Sequence, residues 1–349
     1  MASEEPTAAA SFGPNDWLVD EMYERYRKNP SSVSESWQEF FADYRKDAPN
    51  GNAVPAPPVA GSSPAAAGHV ANGPQKNGAE QKGPEKTAGS ADKVPANVQP
   101  LKGAAARIVQ NMEASLKVPT ATSFRVVPAR LLEVNRKILN NHLSRTRGGK
   151  VSFTHLIGYA IVQAVKDVPV MNAAFVEGDK PAVLRHGHVG LGLAVDVEKS
   201  DGSRTLLVPC IKEADTLDFR GFWAAYEELI RKVRSNKIGV DDFAGTTVSL
   251  TNPGTIGTVQ SVPRLMPGQG VIVGVGRIDY PEEYQAADPR LIAQLGVSKV
   301  VTITSTYDHR IIQGAESGLF LQRVHRLLLG EDGFYDDVFA AMGVPYEPV

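Results

Sequence analysis

Val300-Val301-Thr302-Ile303-Thr304 leads, a few residues later, into Asp308-His309-Arg310-Ile311-Ile312-Gln313-Gly314-Ala315, and apolar positions at helical spacing follow over 319–328. The β-branched run reads as a buried strand and the later segment as a helix. The eight residues between them are therefore a strand-to-helix junction. A strand end is a rigid mount, and the glycine lets backbone or ligand come close. A histidine there, flanked by an aspartate and an arginine, is well placed to exchange protons.

The same alternation of elements extends upstream. Leu156, Ile157, Ala160, Ile161, Ala164 and Val165 recur at helical spacing, as do Phe219, Phe222, Trp223, Tyr226, Leu229, Ile230 and Val233. Val189, Leu191, Leu193, Val195 and Val197 alternate with small or polar residues, the pattern of a half-buried strand. Val271, Val273 and Val275 do the same before Gly276. The elements interleave irregularly, and no G-x-G-x-x-G opens a helix. That predicts an α/β fold, a two-layer sandwich of mixed sheet and one helical layer, and excludes a dinucleotide-binding fold.

The N-terminal part differs in composition. Residues 12–44 are aromatic-rich and helical in pattern, with Trp17, Leu18, Met22, Tyr23 and Tyr26 before a break at Asn29-Pro30. Ser34 is a candidate cap for a second helix carrying Trp37, Phe40, Phe41 and Tyr44. Two short helices cannot bury so many rings alone, which predicts docking onto a partner or onto a part of the protein outside this chain; the alternative is that they pair with each other as a loose hairpin. Residues 46–98 are rich in Ala, Pro, Gly, Asn and Lys and contain no aromatic residue. They cannot offset the entropy of ordering, so a disordered, semi-stiff tether is expected.

Charge and cysteine usage narrow the function classes. The 349 residues carry a net charge of −2, with a pI near 6.4. No basic field points to nucleic acid. Cys210, the single cysteine, sits in an apolar run, which suggests an inert buried thiol, excludes a cysteine-based zinc cluster and fits a reducing cytoplasm. No metal site is expected. Glu4 and Glu5 near the start do not suit a secretory signal. No run approaches the ~20 apolar residues of a membrane helix. A soluble, cytoplasmic protein is expected.

Nine blocks, in order, resemble the acyltransferase catalytic domain of 2-oxoacid dehydrogenase complexes. They begin at Lys117-Val118-Pro119-Thr120, Leu131-Leu132-Glu133-Val134-Asn135 and Val151-Ser152-Phe153-Thr154-His155-Leu156. Val168-Pro169-Val170-Met171-Asn172-Ala173, Leu191-Gly192-Leu193-Ala194-Val195-Asp196 and Leu207-Val208-Pro209-Cys210-Ile211-Lys212 follow. Thr247-Val248-Ser249-Leu250-Thr251-Asn252-Pro253-Gly254, Pro267-Gly268-Gln269-Gly270-Val271 and the histidine motif complete them. Tyr23-Glu24-Arg25-Tyr26 and Ser32-Val33-Ser34-Glu35-Ser36-Trp37 resemble the N-terminal segment of 2-oxoglutarate decarboxylase (dehydrogenase) components. No lipoyl-type Asp-Lys-Ala turn is found. The whole resembles the front of the fused 2-oxoglutarate decarboxylase/dehydrogenase of actinobacteria.

The resemblance implies four regions: a helical segment over 1–45, a tether over 46–98, a catalytic core over 99–332, and 333–349 as a lead-in to a thiamine-dependent region. It implies a chloramphenicol acetyltransferase-like, trimer-forming core. The implied reaction is acyl transfer, with succinyl suggested by the flanking segments. It would run between coenzyme A and a dihydrolipoyl group on another protein, within 2-oxoglutarate oxidation in the tricarboxylic acid cycle. Thiamine diphosphate and magnesium would belong only to the downstream region. Implied partners are a lipoyl-bearing acyltransferase subunit, dihydrolipoamide dehydrogenase indirectly, and further copies of this chain as a homotrimer or larger assembly.

By position, His309 is implied as general base and Thr251 as the hydroxyl that meets the oxyanion, with the two on different subunits. A histidine can take the proton of an attacking thiol, which at neutral pH is mostly unionised. A preorganised donor suits the charge of the tetrahedral intermediate. Asp308, Arg310, Gln313, Asn252 and Gly254 are accessory. Gln313 stands where the family motif, D-H-R-x-x-D-G, has aspartate. It can hydrogen-bond but carries no charge, so activity is expected to be tuned. His155 and His325 read as packing or surface residues, while His186 and His188 flank a turn. The alternative function is a trimerising scaffold with weak catalysis. A small-molecule acetyltransferase is disfavoured by the flanking segments.

Overall fold

The computed structural model describes residues 15–44, 98, 101, 104–146, 148–198, 202 and 204–349. The expected tether, apart from Val98, lies outside the described residues, as do Phe12 and the side chain of Trp17. Among the described residues, no helix is long and apolar enough to cross a membrane.

A mixed sheet forms the centre. It consists of β1 (Thr120–Pro128), β4 (Leu191–Glu198), β5 (Arg204–Leu207), β6 (Cys210–Ile211), β7 (Val248–Thr251), β8 (Val271–Val275) and β9 (Val300–Asp308). Its order is β1-β9-β8-β7-β4-β5, with β6 also paired to β4. The β4–β7 and β7–β8 pairs are parallel, and the others are antiparallel. A separate hairpin joins β2 (Ala173–Val176) to β3 (Ala182–Arg185).

The β-branched run that decides the fold is buried on both faces of β9. Val301, Ile303 and Tyr307 enter the main core, and between them the Ser305 hydroxyl bonds Ser317 at 3.0 Å. The opposite face is polar but satisfied: Thr304 donates to the Ser261 carbonyl at 2.9 Å, and Thr306 meets the Thr122 hydroxyl at 2.9 Å. A threonine strand face is thus buried with its hydrogen bonds intact, as burial of polar groups requires.

The helical layer comes from the periodic segments. Leu156, Ile157, Ala160 and Ile161 of α5 (Phe153–Asp167) pack with Phe320, Leu321 and Val324 of α8 (Gly314–Leu328), and with Phe219 and Phe222 of α6 (Phe219–Arg234). Beside them lie α4 (Arg130–Arg145) and α9 (Phe334–Met342), while α7 (Pro289–Leu295) falls between β8 and β9 in the chain. Gly314, read from the sequence as part of a turn, is the first residue of α8.

Two findings move the edges of the packed unit. The first is at the C-terminus, where Phe334, Tyr335, Val338, Phe339, Met342 and Val344 join the main core. Tyr335 donates to the Leu328 carbonyl at 2.9 Å, and Asn135 bonds the backbone of Val349. Residues 334–344 are therefore a structural part of the core.

The second concerns the aromatic segment. Its helices, α1 (Asp16–Lys28) and α2 (Glu35–Asp43), appear where the periodicity and Ser34 place them. The docking surface differs from the expected one, because it lies on this chain's own core. Leu18, Val19, Val33, Trp37 and Phe41 share a buried cluster with Leu207, Val233, Ile238, Val240 and Phe243. The Asn15 side chain pairs with the Val208 backbone in both directions, at 3.0 and 2.9 Å, and the Trp37 indole donates to the Ile238 carbonyl. Spare apolar surface beside the β5 edge accounts for the rings that two helices could not bury alone. Also in contact with α1 is α3 (Ala104–Leu116).

Candidate active site

His309 follows directly on β9. Its backbone N–H donates to the Pro119 carbonyl at 2.9 Å, tying it to the start of β1. Asp308 before it is buried, while the imidazole is exposed and lies 5.5 Å, edge-on, from the Tyr307 ring. Asp308 accepts a two-pronged contact from Arg310, at 2.9 Å to Nε and 2.6 Å to the terminal nitrogen. That bond and charge hold the Arg310 pKa above its ordinary value, against a smaller opposing effect of burial. The guanidinium also covers the Phe175 ring at 3.7 Å. Bidentate geometry of this kind fixes orientation as well as charge.

Gln313 is the exposed N-cap of α8. Its own N–H is taken by the Glu316 carboxylate at 2.7 Å. Three residues thus separate the imidazole from an amide at a helix start, on a turn closed by Ile311 and Ile312 N–H groups on the Asp308 carbonyl.

Thr251 ends β7 at the other end of the sheet. It is in register with Gly274 of β8, which faces Thr304 of β9, five residues before His309. At ordinary strand rise and spacing this separates the two residues by about 16 Å along the strands and about 10 Å across them. One chain does not bring His309 and Thr251 together.

The loop leaving Thr251 is tightly held. Gly254 lies so close to the Gly276 backbone that a Cβ there would sit 2.2 Å from it. Asn252 donates to the Thr154 hydroxyl at 2.8 Å, and Thr255 donates to the Asn252 carbonyl at 3.1 Å. Thr154, His155, Tyr226, Asn252, Asp196 and Arg234 line an adjoining cleft of about 690 Å³.

His155 is buried behind this cleft. Its Nδ1 accepts from the Ser152 N–H at 2.9 Å, so a neutral ring carries its proton on Nε2. Glu227 lies 3.2 Å from Nε2, but without hydrogen-bond geometry, and its carboxylate is half exposed. Burial outweighs that neighbour and pushes the His155 pKa down to about 4. His155 is a packing residue, as the sequence suggests, and it also lines the cleft. Burial likewise lifts Tyr226 to about 12 and Cys210 to about 11, which leaves the thiol protonated and inert. His325 and Arg125 pair at 3.1 Å, between α8 and β1. Exposed His188 bonds Asp215 at 3.1 Å. Thr154 and Tyr226 were not legible as site residues in the sequence. The only hint was Thr154's place in a Ser152-capped helix start.

The family model for 2-oxoacid dehydrogenases acyltransferase (catalytic domain) matches residues 94–332. The chain belongs to the 2-oxoacid dehydrogenase acyltransferase family. A second model, for the 2-oxoglutarate dehydrogenase N-terminus, matches residues 9–48 of this acyltransferase. Among curated proteins, a multifunctional 2-oxoglutarate metabolism enzyme of Mycolicibacterium vanbaalenii is 53% identical over 369 residues, covering 97% of this chain and 29% of that protein. Another from a Mycobacterium strain is 48% identical, over 98% of this chain and 31% of that protein. The acyltransferase chain thus spans under a third of the length of these curated relatives.

Among solved structures, a probable dihydrolipoamide acetyltransferase of Listeria monocytogenes shares the fold at 23% identity, with a TM-score of 0.57 over 73% of this chain and 99% of that one. The dihydrolipoamide acetyltransferase of Azotobacter vinelandii is 26% identical, with a TM-score of 0.54 over 68% of this chain and 90% of that one. A serine, a histidine and, four residues after the histidine, an asparagine are described in that enzyme's catalytic mechanism. The mixed sheet with its helical layer is therefore the fold of these acyltransferase cores.

Proposed function

We propose that this acyltransferase moves a succinyl group between a dihydrolipoyl thiol on another protein and the thiol of coenzyme A. The observation that carries the reading is the His309 end of β9: an exposed imidazole on a rigid strand end, braced by the buried Asp308–Arg310 pair. Gln313, four residues on, supplies an amide at the spacing of the asparagine in the Azotobacter enzyme. That parallel favours Gln313 as a working substitute for aspartate over a disabling loss.

In the forward step His309 takes the proton of the coenzyme A thiol as its sulfur attacks the thioester carbonyl. The carbonyl π electrons move to oxygen, and the Thr251 hydroxyl donates to that oxyanion. Collapse breaks the bond to the lipoyl sulfur, which takes back the proton from the imidazolium. Because His309 and Thr251 stand at opposite ends of one sheet, a complete site pairs His309 of one copy with Thr251 of another. A homotrimer or larger assembly is the form in which they would meet, and the resemblance to the cubic core of a pyruvate dehydrogenase complex supports such an assembly.

Succinyl specificity rests on the 2-oxoglutarate character of the N-terminal match and of the relatives. The relatives' names support a place in 2-oxoglutarate metabolism. By the motif resemblance alone we also infer a cytoplasmic setting, a lipoyl-bearing acyltransferase subunit as donor, dihydrolipoamide dehydrogenase as an indirect partner, and thiamine diphosphate with magnesium only in a downstream region. We read residues 1–45 as a decarboxylase-like helical segment, 46–98 as a tether, 99–332 as the catalytic core and 333–349 as a lead-in to a thiamine-dependent region. A thiol-release assay of the full chain with succinyl-, acetyl- and propionyl-coenzyme A tests the reading. Turnover fastest with succinyl and abolished in His309→Ala is the expected result. Equal turnover in His309→Ala, with assembly intact, would leave the scaffold reading in its place.

A further inference from the structure

We propose that Thr154 is a positioning residue for acyl transfer, setting the Thr251 hydroxyl through Asn252. The inference rests on the role given to Thr251 above. Thr154 is the second residue of α5, and that helix start is immobilised by a capping box in which Ser152 and His155 satisfy each other's backbone N–H groups. The buried ring of His155 packs edge-on against Tyr226 at 4.2 Å. Tyr226 and Thr154 both line the cleft beside Asn252.

A threonine hydroxyl has one proton and two lone pairs. Here the oxygen accepts from the Asn252 amide at 2.8 Å, so the Asn252 bond uses a lone pair and not the proton. The connection runs from a rigid helix start, across 98 positions of sequence, to the residue that follows Thr251. The other ties on the loop, Thr255 to the Asn252 carbonyl and Gly254 against Gly276, leave the Asn252 side chain to Thr154 alone among the described hydrogen bonds. Thr251 itself is held only as the last residue of β7, in register with Ala194 and Gly274. Loss of the Thr154 bond frees the turn at the point where the hydroxyl must be aimed. Misplacement of such a group by about 1 Å costs on the order of 10²-fold in rate.

The test is a double-mutant cycle in the full chain, using succinyl-dihydrolipoamide and coenzyme A, with Thr154→Val, Thr154→Ser, Thr251→Ala and the Thr154→Val/Thr251→Ala pair. Thr154→Val should lower kcat about tenfold or more with KM for coenzyme A within about twofold. Thr154→Ser, which keeps the hydroxyl, should restore kcat. In the Thr251→Ala background the Thr154→Val effect should vanish, since a residue acting through Thr251 has nothing left to position. A fall in kcat of the same size with and without Thr251 would overturn the proposal, because a general packing defect behaves that way. So would unchanged kcat in Thr154→Val beside a large fall in Thr251→Ala, which leaves the Thr251 reading standing. No fall in Thr251→Ala itself overturns both. If Thr154→Val fails to fold, Asn252→Ala in the same cycle carries the test, with the same loss expected and the same independence from Thr251 sinking it.

Discussion

The two ends of the central sheet are built by opposite means. At the His309 end an exposed imidazole stands among charges, braced by the bidentate Asp308–Arg310 pair and the Phe175 face. At the Thr251 end the residue is half buried and the ties are neutral, running through Asn252 and Thr154 in front of an uncharged His155. A base has to be reached by the thiol whose proton it takes, so exposure suits it. An oxyanion donor works by being aimed beforehand in a site that excludes water, so fixed neutral hydrogen bonds suit it. On the proposed roles, each end supplies one half of a site.

The sharpest way to break this contrast is to empty one end at a time. His309→Ala should cut kcat by ~10²–10⁴ while assembly, followed by light scattering, stays unchanged; lost assembly would make the histidine a structural residue. Thr251→Ala should cost ~10²–10³ in kcat and leave the shape of the pH–rate profile unaltered, since it removes a donor and no titrating group. A shifted profile would tie the two ends more closely than the sheet register allows.

The Thr251 end also has a support that the His309 end lacks. The aromatic cluster of α1 and α2 presses on Val195, Val197 and Val233, all of which line the cleft beside Asn252. Trp37→Ala should destabilise that docking by about 3 kcal/mol, the lower range for a buried ring, read as faster proteolysis near residue 44 with the core intact. An unaltered digestion pattern would remove the segment from this end.

His155 gives a pH signature to the same end. Its pKa falls from 6.5 to about 4 on burial, so between those values the unfolded chain binds the extra proton and the folded one does not. Stability is whole above 6.5 and declines as pH drops toward 4, by on the order of 3 kcal/mol. His155→Gln keeps a side chain able to close the capping box and should flatten that slope in urea titrations. The smallest effect belongs to the His309 end. Gln313→Asp places a better cap on α8 and should add up to ~1 kcal/mol. Turnover measured on the same protein then separates capping from any direct effect on the imidazole.

Legibility in the sequence followed the range of the interaction. β8, β9, α5, α6 and α8 could be read because their apolar periods reflect one-sided burial, and those residues form the core found. The Asp308–Arg310 pair joins residues two apart and sits within the motif. The Thr154–Asn252 bond joins residues 98 apart, and no local pattern records it. The aromatic segment was legible as helices in need of a surface, but the surface proved to be this chain's own β5 edge. Residues 334–344 looked like the start of something else because their period does not show which core they join.

By itself, then, the sequence determined the strand-to-helix junction, the alternation of elements and the family, and it nominated the two groups on which the proposed chemistry rests. All of these are written in short-range period and residue type. Only the tertiary structure decided that His309 and Thr251 stand at opposite ends of one sheet, that Thr154 holds the turn beside Thr251, and that α1 and α2 close against the core. Strand order and register set those placements, and they follow from how the elements pack in space.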